Sequence, residues 1–190
     1  MELILIRHGL PEKVVARQDG PADPELSPQG HDQAAATAAW LRDRQIDRLY
    51  SSPMRRAIQT AEPLSQLLNL DIEIREGVAE FDRDHHTYVP VEEFTREDFE
   101  RVQAMMDGSD GGGLPAFSRM VIDALTAIVA ENAGKRVAVA CHGGVVNMWA
   151  SHVMGVEPRI FFVPDYASVS RFMIARNGAK SLLSLNEAAP

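Results

Sequence analysis

Glu2-Leu3-Ile4-Leu5-Ile6-Arg7-His8-Gly9 opens the chain, and its reading decides the fold. Leu3 to Ile6 are consecutive aliphatics without polar alternation. A strand of this kind needs cover on both faces, as in a parallel sheet flanked by helices. The same design returns in Arg136-Val137-Ala138-Val139-Ala140-Cys141-His142-Gly143-Gly144. Each buried strand runs into a histidine followed at once by glycine. Ligands of open α/β sheets sit beyond the carboxyl ends of parallel strands, so both histidines should project into one crevice.

Outward from these two strands the chain alternates strand and helix. A loop rich in Asp, Gly and Pro covers Asp19 to Pro24, and Ser27-Pro28 then signals a helix start that continues through Arg44. Asp47 to Ser52 is a second short strand, and Pro53 should open a helix whose stripe is Met54, Ala57, Ile58, Ala61, Leu64, Leu67 and Leu68. Pro63 lies within it, and Asp71 to Arg75 alternates as a strand. A helix capped by Thr95 is expected to turn Phe99, Val102, Met105 and Met106 inward, ahead of the glycine-rich run Asp107 to Gly113. Phe117, Met120, Val121, Ala124, Leu125, Ile128 and Val129 mark another amphipathic helix. A further helix runs from Gly143 to about Met154, with Gly155 beyond its end. Val169–Ala175 and Lys180–Leu185 flank Asn177-Gly178, a hairpin signal. The expected fold is therefore α/β: a three-layer sandwich with a mostly parallel central sheet, an antiparallel C-terminal edge and helices on both faces. Its 190 residues fit a single domain, 1–190, with a lid-like insertion at about 80–114.

Composition narrows the function. The net charge of −8 argues against coating nucleic acid, whose phosphates need a basic face. No uninterrupted run of about 18 apolar residues is present, so no membrane span is expected. Met1 leads directly into a core strand, which reads as no secretory signal. Cys141 is the only cysteine. It permits no intrachain disulfide, excludes a site of several thiolates, and fits a reducing, cytoplasmic setting.

In this acidic chain a small cationic site stands out. Ser51-Ser52-Pro53-Met54-Arg55-Arg56 runs from a strand end into a helix N-terminus, where free N–H groups favour an anion. Arg7, Arg56, His8 and His142 around that point would grip a phosphoryl group, since guanidinium forks match its oxygens and imidazole can accept it covalently. Taken singly, Arg7 reads equally as a surface ion pair, His142 as a satisfied histidine at a strand end, and Cys141 as a small buried strand residue. Their conjunction is what carries weight.

Four stretches in order complete it: Leu5-Ile6-Arg7-His8-Gly9, Leu26-Ser27-Pro28-Gln29-Gly30, the block from Tyr50 to Glu62, and Cys141-His142-Gly143-Gly144. In these the chain resembles the histidine phosphatase superfamily, the phosphoglycerate mutase-like proteins. The resemblance implies that His8 is the nucleophile that becomes phosphohistidine. It implies that Arg7 and Arg56 bind the phosphoryl group with His142, and that the Gly143 backbone N–H reaches it. Arg55, about 100° away on the helix, should point elsewhere. Glu80 matches the acid that protonates the leaving group, with Asp82 and Asp84 as rivals. No metal or other cofactor is implied. The other nitrogen of His8 should be held as a donor to a backbone carbonyl.

The expected activity is metal-independent hydrolysis of a small organic phosphate ester, with inorganic phosphate as product, by a monomer or homodimer. Alternatives are a phosphoglycerate mutase-type transfer, or a phosphoprotein (phosphohistidine) phosphatase. Between Glu80 and Glu100 eight acidic residues face two basic ones, which disfavours a second phosphate and hence a mutase. The continuation Leu10-Pro11-Glu12-Lys13 also departs from the mutase pattern. A metal-dependent hydrolase built on Asp82, Asp84, His85 and His86, or a non-catalytic phospho-ligand binder, are the other classes. Phe81, Tyr88, Phe161, Phe162 and Tyr166 are candidate walls for specificity.

Overall fold

Alternate residues of β1 (Glu2–Arg7) face two different cores, and that division builds the layers. Ile4 and Ile6 pack with Ala38 and Leu41 of α1 (Pro28–Leu41) and with Ala57, Ala61 and Leu64 of α2 (Arg55–Leu68). Leu3 and Leu5 pack instead with Val121, Leu125 and Ile128 of α4 (Gly113–Glu131) and with Val145 and Trp149 of α5 (Gly143–Met154). Each aliphatic side chain buried this fully contributes about 2 kcal/mol of transfer free energy. The computed structural model describes residues 1–14, 20–106 and 113–190. Asp19, the run 107–112, and the expected inward side chains of Val102, Met105 and Met106 lie outside the described residues.

The sheet has six strands among the described residues, in the order β3-β2-β4-β1-β5-β6. Here β2 is Arg48–Ser51, β3 Ile72–Ile74, β4 Arg136–Cys141, β5 Val169–Ile174 and β6 Lys180–Glu187. The four strands β3, β2, β4 and β1 are parallel, and β5 and β6 add an antiparallel edge. The three-layer α/β architecture is the one expected. α4 is long and apolar enough by count to cross a membrane, yet Val121, Leu125 and Ile128 on it are fully buried against the sheet.

Several local expectations need correction. The helix expected at Pro53 begins at Arg55, because Met54 keeps an extended backbone (φ −73°, ψ 136°) and its N–H is held by the Ser52 hydroxyl. The first helix ends at Leu41, and Arg42–Arg44 continue as a 3₁₀ turn that Gln45 closes at φ 51°. Thr95 does cap α3 (Arg96–Met106): its hydroxyl accepts from the Asp98 N–H while the Asp98 carboxylate accepts from Thr95. Phe99, however, is 55% exposed and does not face the core; its ring packs edge-on against Phe94 at 5.3 Å. The C-terminal hairpin turns through three residues rather than two, with Gly178 at φ 86° taking the left-handed position.

Register positions the site. Arg7 lies opposite Cys141 in the β1/β4 ladder, so the chain leaves both strands at one level. The His8 N–H donates to the Cys141 carbonyl at 3.0 Å, and the Ser52 N–H donates to Ala140 at 3.0 Å. Three strand ends, carrying His8, Ser52 and His142, thus emerge side by side.

Candidate active site

His8 and His142 meet beyond those strand ends, their ring centroids 5.1 Å apart. Both are buried. His8 Nδ1 lies 2.8 Å from the Gly9 carbonyl, which makes Nδ1 the protonated nitrogen and leaves Nε2 with its lone pair. Burial, followed by the charges of Arg56 and Arg7, holds His8 well below the ordinary imidazole range. The ring is therefore neutral at physiological pH, as a nucleophile must be. Burial and the same two arginines keep His142 unprotonated as well. His142 Nε2 lies 2.8 Å from the Ser52 hydroxyl, which also accepts the Met54 N–H at 3.2 Å. With the Met54 N–H occupying an acceptor position, the serine proton is free to go to Nε2. That arrangement leaves His142 Nδ1 as the donor.

Two guanidinium groups complete the ring of donors. Arg7 gives one N–H to the Pro164 carbonyl and lies over the Tyr166 ring at 3.9 Å. Arg56 is 1% exposed, pairs through Nη2 with Asp82 at 2.8 Å, and lies over Tyr88 at 4.7 Å. Burial works against its charge, but Asp82, with Tyr88 and Glu80, offsets that and raises its pKa. Arg7 Nε, Arg56 Nε and Nη1, and His142 Nδ1 are buried and have no protein partner among the described residues. Buried donors in native proteins are nearly always satisfied. Three of them belong to arginines that line one cleft with His8, and the fourth to a histidine whose ring lies 5.1 Å from that of His8, a set suited to a tetrahedral oxyanion.

Arg7, His8, Arg56, Glu80, Gly143 and Gly144 line one cleft of about 350 Å³. Gly143 is the first residue of α5, so the helix N-terminus faces it. Arg55 turns away to an exposed pair with Glu25. Glu80 is buried; its Oε2 accepts from the Gly144 N–H at 2.8 Å and its Oε1 from Phe81 at 3.1 Å. Burial, and then the neighbouring Asp82 charge, push its pKa up to about 7. Asp82 is engaged by Arg56, and Asp84 is exposed. Of the three acids, Glu80 is the one buried in the cleft without a salt bridge.

The loop read as a possible metal site comes apart in the same way. Besides Asp82 and Asp84, His86 Nδ1 faces the Gly20 carbonyl at 3.0 Å. Among the described residues no three His, Cys, Asp or Glu side chains converge as ligands. Cys141 is a fully buried strand residue whose thiol burial pushes up, away from the nucleophilic form.

Some functional contacts escaped the sequence reading. Thr60, four residues after Arg56, accepts the Gly9 N–H at 3.0 Å and donates to the Arg56 carbonyl at 2.7 Å. The i, i+4 spacing with Arg56 was the available signal. Asn147 receives the Phe161 N–H at 3.0 Å and gives its own N–H to Gly143 and Phe162, clamping the 160–164 segment to α5. Tyr88 and Tyr166, read as candidate walls for specificity, also serve as platforms for the two arginines, and Tyr88 lines the cleft.

Comparisons with known proteins bear on the family and the fold. The family model described as the histidine phosphatase superfamily (branch 1) matches residues 3–188. Phosphoserine phosphatase 1 of Hydrogenobacter thermophilus is 35% identical over 105 residues, 53% of this chain and 50% of that protein. The match thus spans about half of that relative. An uncharacterised phosphatase of Bacillus subtilis, PhoE, is 24% identical over 157 residues, covering 82% of this chain and 79% of its own. Among solved structures, a phosphoserine phosphatase of Entamoeba histolytica superimposes with a TM-score of 0.78 at 24% identity, over 98% of this chain and 96% of that one. At that identity the likeness is one of fold.

Proposed function

The chain belongs to the histidine phosphatase superfamily, and from that premise we propose that it is a phosphomonoesterase working through a phosphohistidine on His8. The observation that carries this reading is the fixed, unprotonated His8 ring beside buried guanidinium and imidazole donors that no described protein group satisfies. Phosphoryl transfer depends chiefly on positioning and charge neutralisation, and these donors supply both without a metal.

The ester phosphate enters the ring formed by Arg7, Arg56, His142 and the Gly143 N–H. His8 Nε2 forms a bond to phosphorus as the ester P–O bond breaks. The departing alcohol oxygen takes the proton of Glu80, whose raised pKa keeps that proton in place near neutrality. Water then attacks the phosphohistidine and gives a proton to the Glu80 carboxylate. Inorganic phosphate leaves, and His8 returns with its Nε2 lone pair. Hydrolysis is favoured over a mutase cycle by the charge around the cleft. Among the described residues no lysine or arginine lines it beyond Arg7 and Arg56. A second phosphate would find no further cation there.

Incubation with a ³²P-labelled ester, quenched rapidly, tests the proposal. The wild type should carry an acid-labile, base-stable label on His8, and His8→Ala should lose both the label and turnover. Persistence of either in the variant would refute it.

A further inference from the structure

Resting on the phosphatase reading, we propose that the alcohol part of the substrate is uncharged and apolar, aromatic by preference, and that esters of carboxylated alcohols are poor substrates. The lining of the cleft away from the phosphoryl end carries this. One wall comes from the segment after Glu80: Tyr88, Val91, Phe94 and Phe99. The facing wall is Ile160, Phe162, Val163 and Pro164. Phe99 and Val163 at the cleft stand 55% and 56% exposed, large apolar groups left in water where a ligand would cover them. The second wall is held in place before any ligand arrives, because Asn147 binds the backbone of Phe161 and Phe162.

Charge points the same way. A carboxylate on the alcohol would need a cation, and among the described residues none is left to meet it. The Arg7 guanidinium is bound to Pro164 and Arg56 to Asp82, and the proposed phosphoryl group takes the buried Arg7 Nε and Arg56 Nε and Nη1 that remain. Lys13 and Arg83 do not line the cleft, and each is already paired, with Glu93 and Glu76. The other polar groups of this part of the lining are His85, Thr87, the Tyr88 hydroxyl and Asn147, and both ends of the Asn147 amide are engaged by backbone.

The matched pair 2-phenylethyl phosphate and phosphoserine tests this. Both are esters of primary alcohols, and they differ only in the groups borne by the second carbon. The wild type should show a kcat/KM for the phenyl ester higher by roughly tenfold or more, the size expected for burying one ring in an apolar pocket. Phe99→Ala should narrow that gap by lowering the phenyl ester, and Val163→Lys should narrow it by raising phosphoserine. Equal or faster turnover of phosphoserine or 3-phosphoglycerate by the wild type overturns the inference and leaves the phosphatase standing. So does a gap that neither variant changes. If no ester releases phosphate in a His8-dependent manner, the phosphatase reading fails and this inference with it.

Discussion

Glu80 shows how one carboxyl can be set to a task by its surroundings. Burial and Asp82 raise its pKa from 4.5 to about 7, while two backbone N–H groups and Arg56 pull the other way. The protonated form is the one needed to expel the alcohol. Activity limited by that step should therefore fall as pH rises through about 7, as the fraction of protonated Glu80 declines. Glu80→Gln removes the transferable proton and keeps the shape. It should lower kcat by roughly 10² to 10⁴ on an alkyl phosphate, the ordinary worth of general acid catalysis. The loss should shrink for p-nitrophenyl phosphate, whose leaving group needs little protonation. A Glu80→Gln enzyme with equal losses on both esters, or with the alkaline limb near 7 intact, would transfer the acid role elsewhere.

The loop between β1 and α1 depends on a close approach of two glycines. A Cβ at Gly30 would lie 2.1 Å from the Leu10 carbonyl oxygen, and one at Gly9 would lie 2.5 Å from the Gly30 carbonyl oxygen. Both obstacles are backbone and have nowhere to go. Gly9 also carries the carbonyl that holds His8 Nδ1. Gly30→Ala should destabilise the protein by about 1–3 kcal/mol, the usual range for overpacking. It should also lower kcat by displacing the loop that orients His8. Urea unfolding together with kinetics checks this; unchanged midpoint and kcat would mean the loop adapts freely. The sequence made such junctions partly legible. Strand ends, the Ser27 cap and the His-Gly turns were readable because each leaves a local signal of burial, capping or backbone freedom. Phe99 was misplaced because helical periodicity identifies a stripe but not what the stripe faces, and here part of it borders the cleft. The Asn147 clamp and the tyrosine platforms under Arg7 and Arg56 were not legible at all. They join residues distant in the chain, and nothing local marks an asparagine that will hold another segment's backbone.

The fold as a whole sustains a buried cluster that is unfavourable on its own. Two neutral imidazoles, two guanidinium groups and a raised carboxyl sit where three strand ends and two helix N-termini converge. Several of their nitrogens have no protein partner among the described residues, and buried donors left unmatched cost about 1–3 kcal/mol each. The two cores on either side of the sheet must supply the stabilisation that tolerates this arrangement. A tetrahedral oxyanion that satisfies those donors binds only the folded chain, so it should stabilise the fold by mass action. At a concentration 100 times its Kd the gain is about 2.7 kcal/mol. In a domain of this size that corresponds to a Tm increase of roughly 5–10 °C. Inorganic phosphate or vanadate should produce that shift in a thermal melt at pH 7, and chloride at equal ionic strength should not. Arg56→Ala should abolish most of the response, because it removes two of the unpaired nitrogens at once. A shift of the same size with chloride, or one that survives Arg56→Ala, would mean that the anion acts on the surface of the protein and not on this cluster.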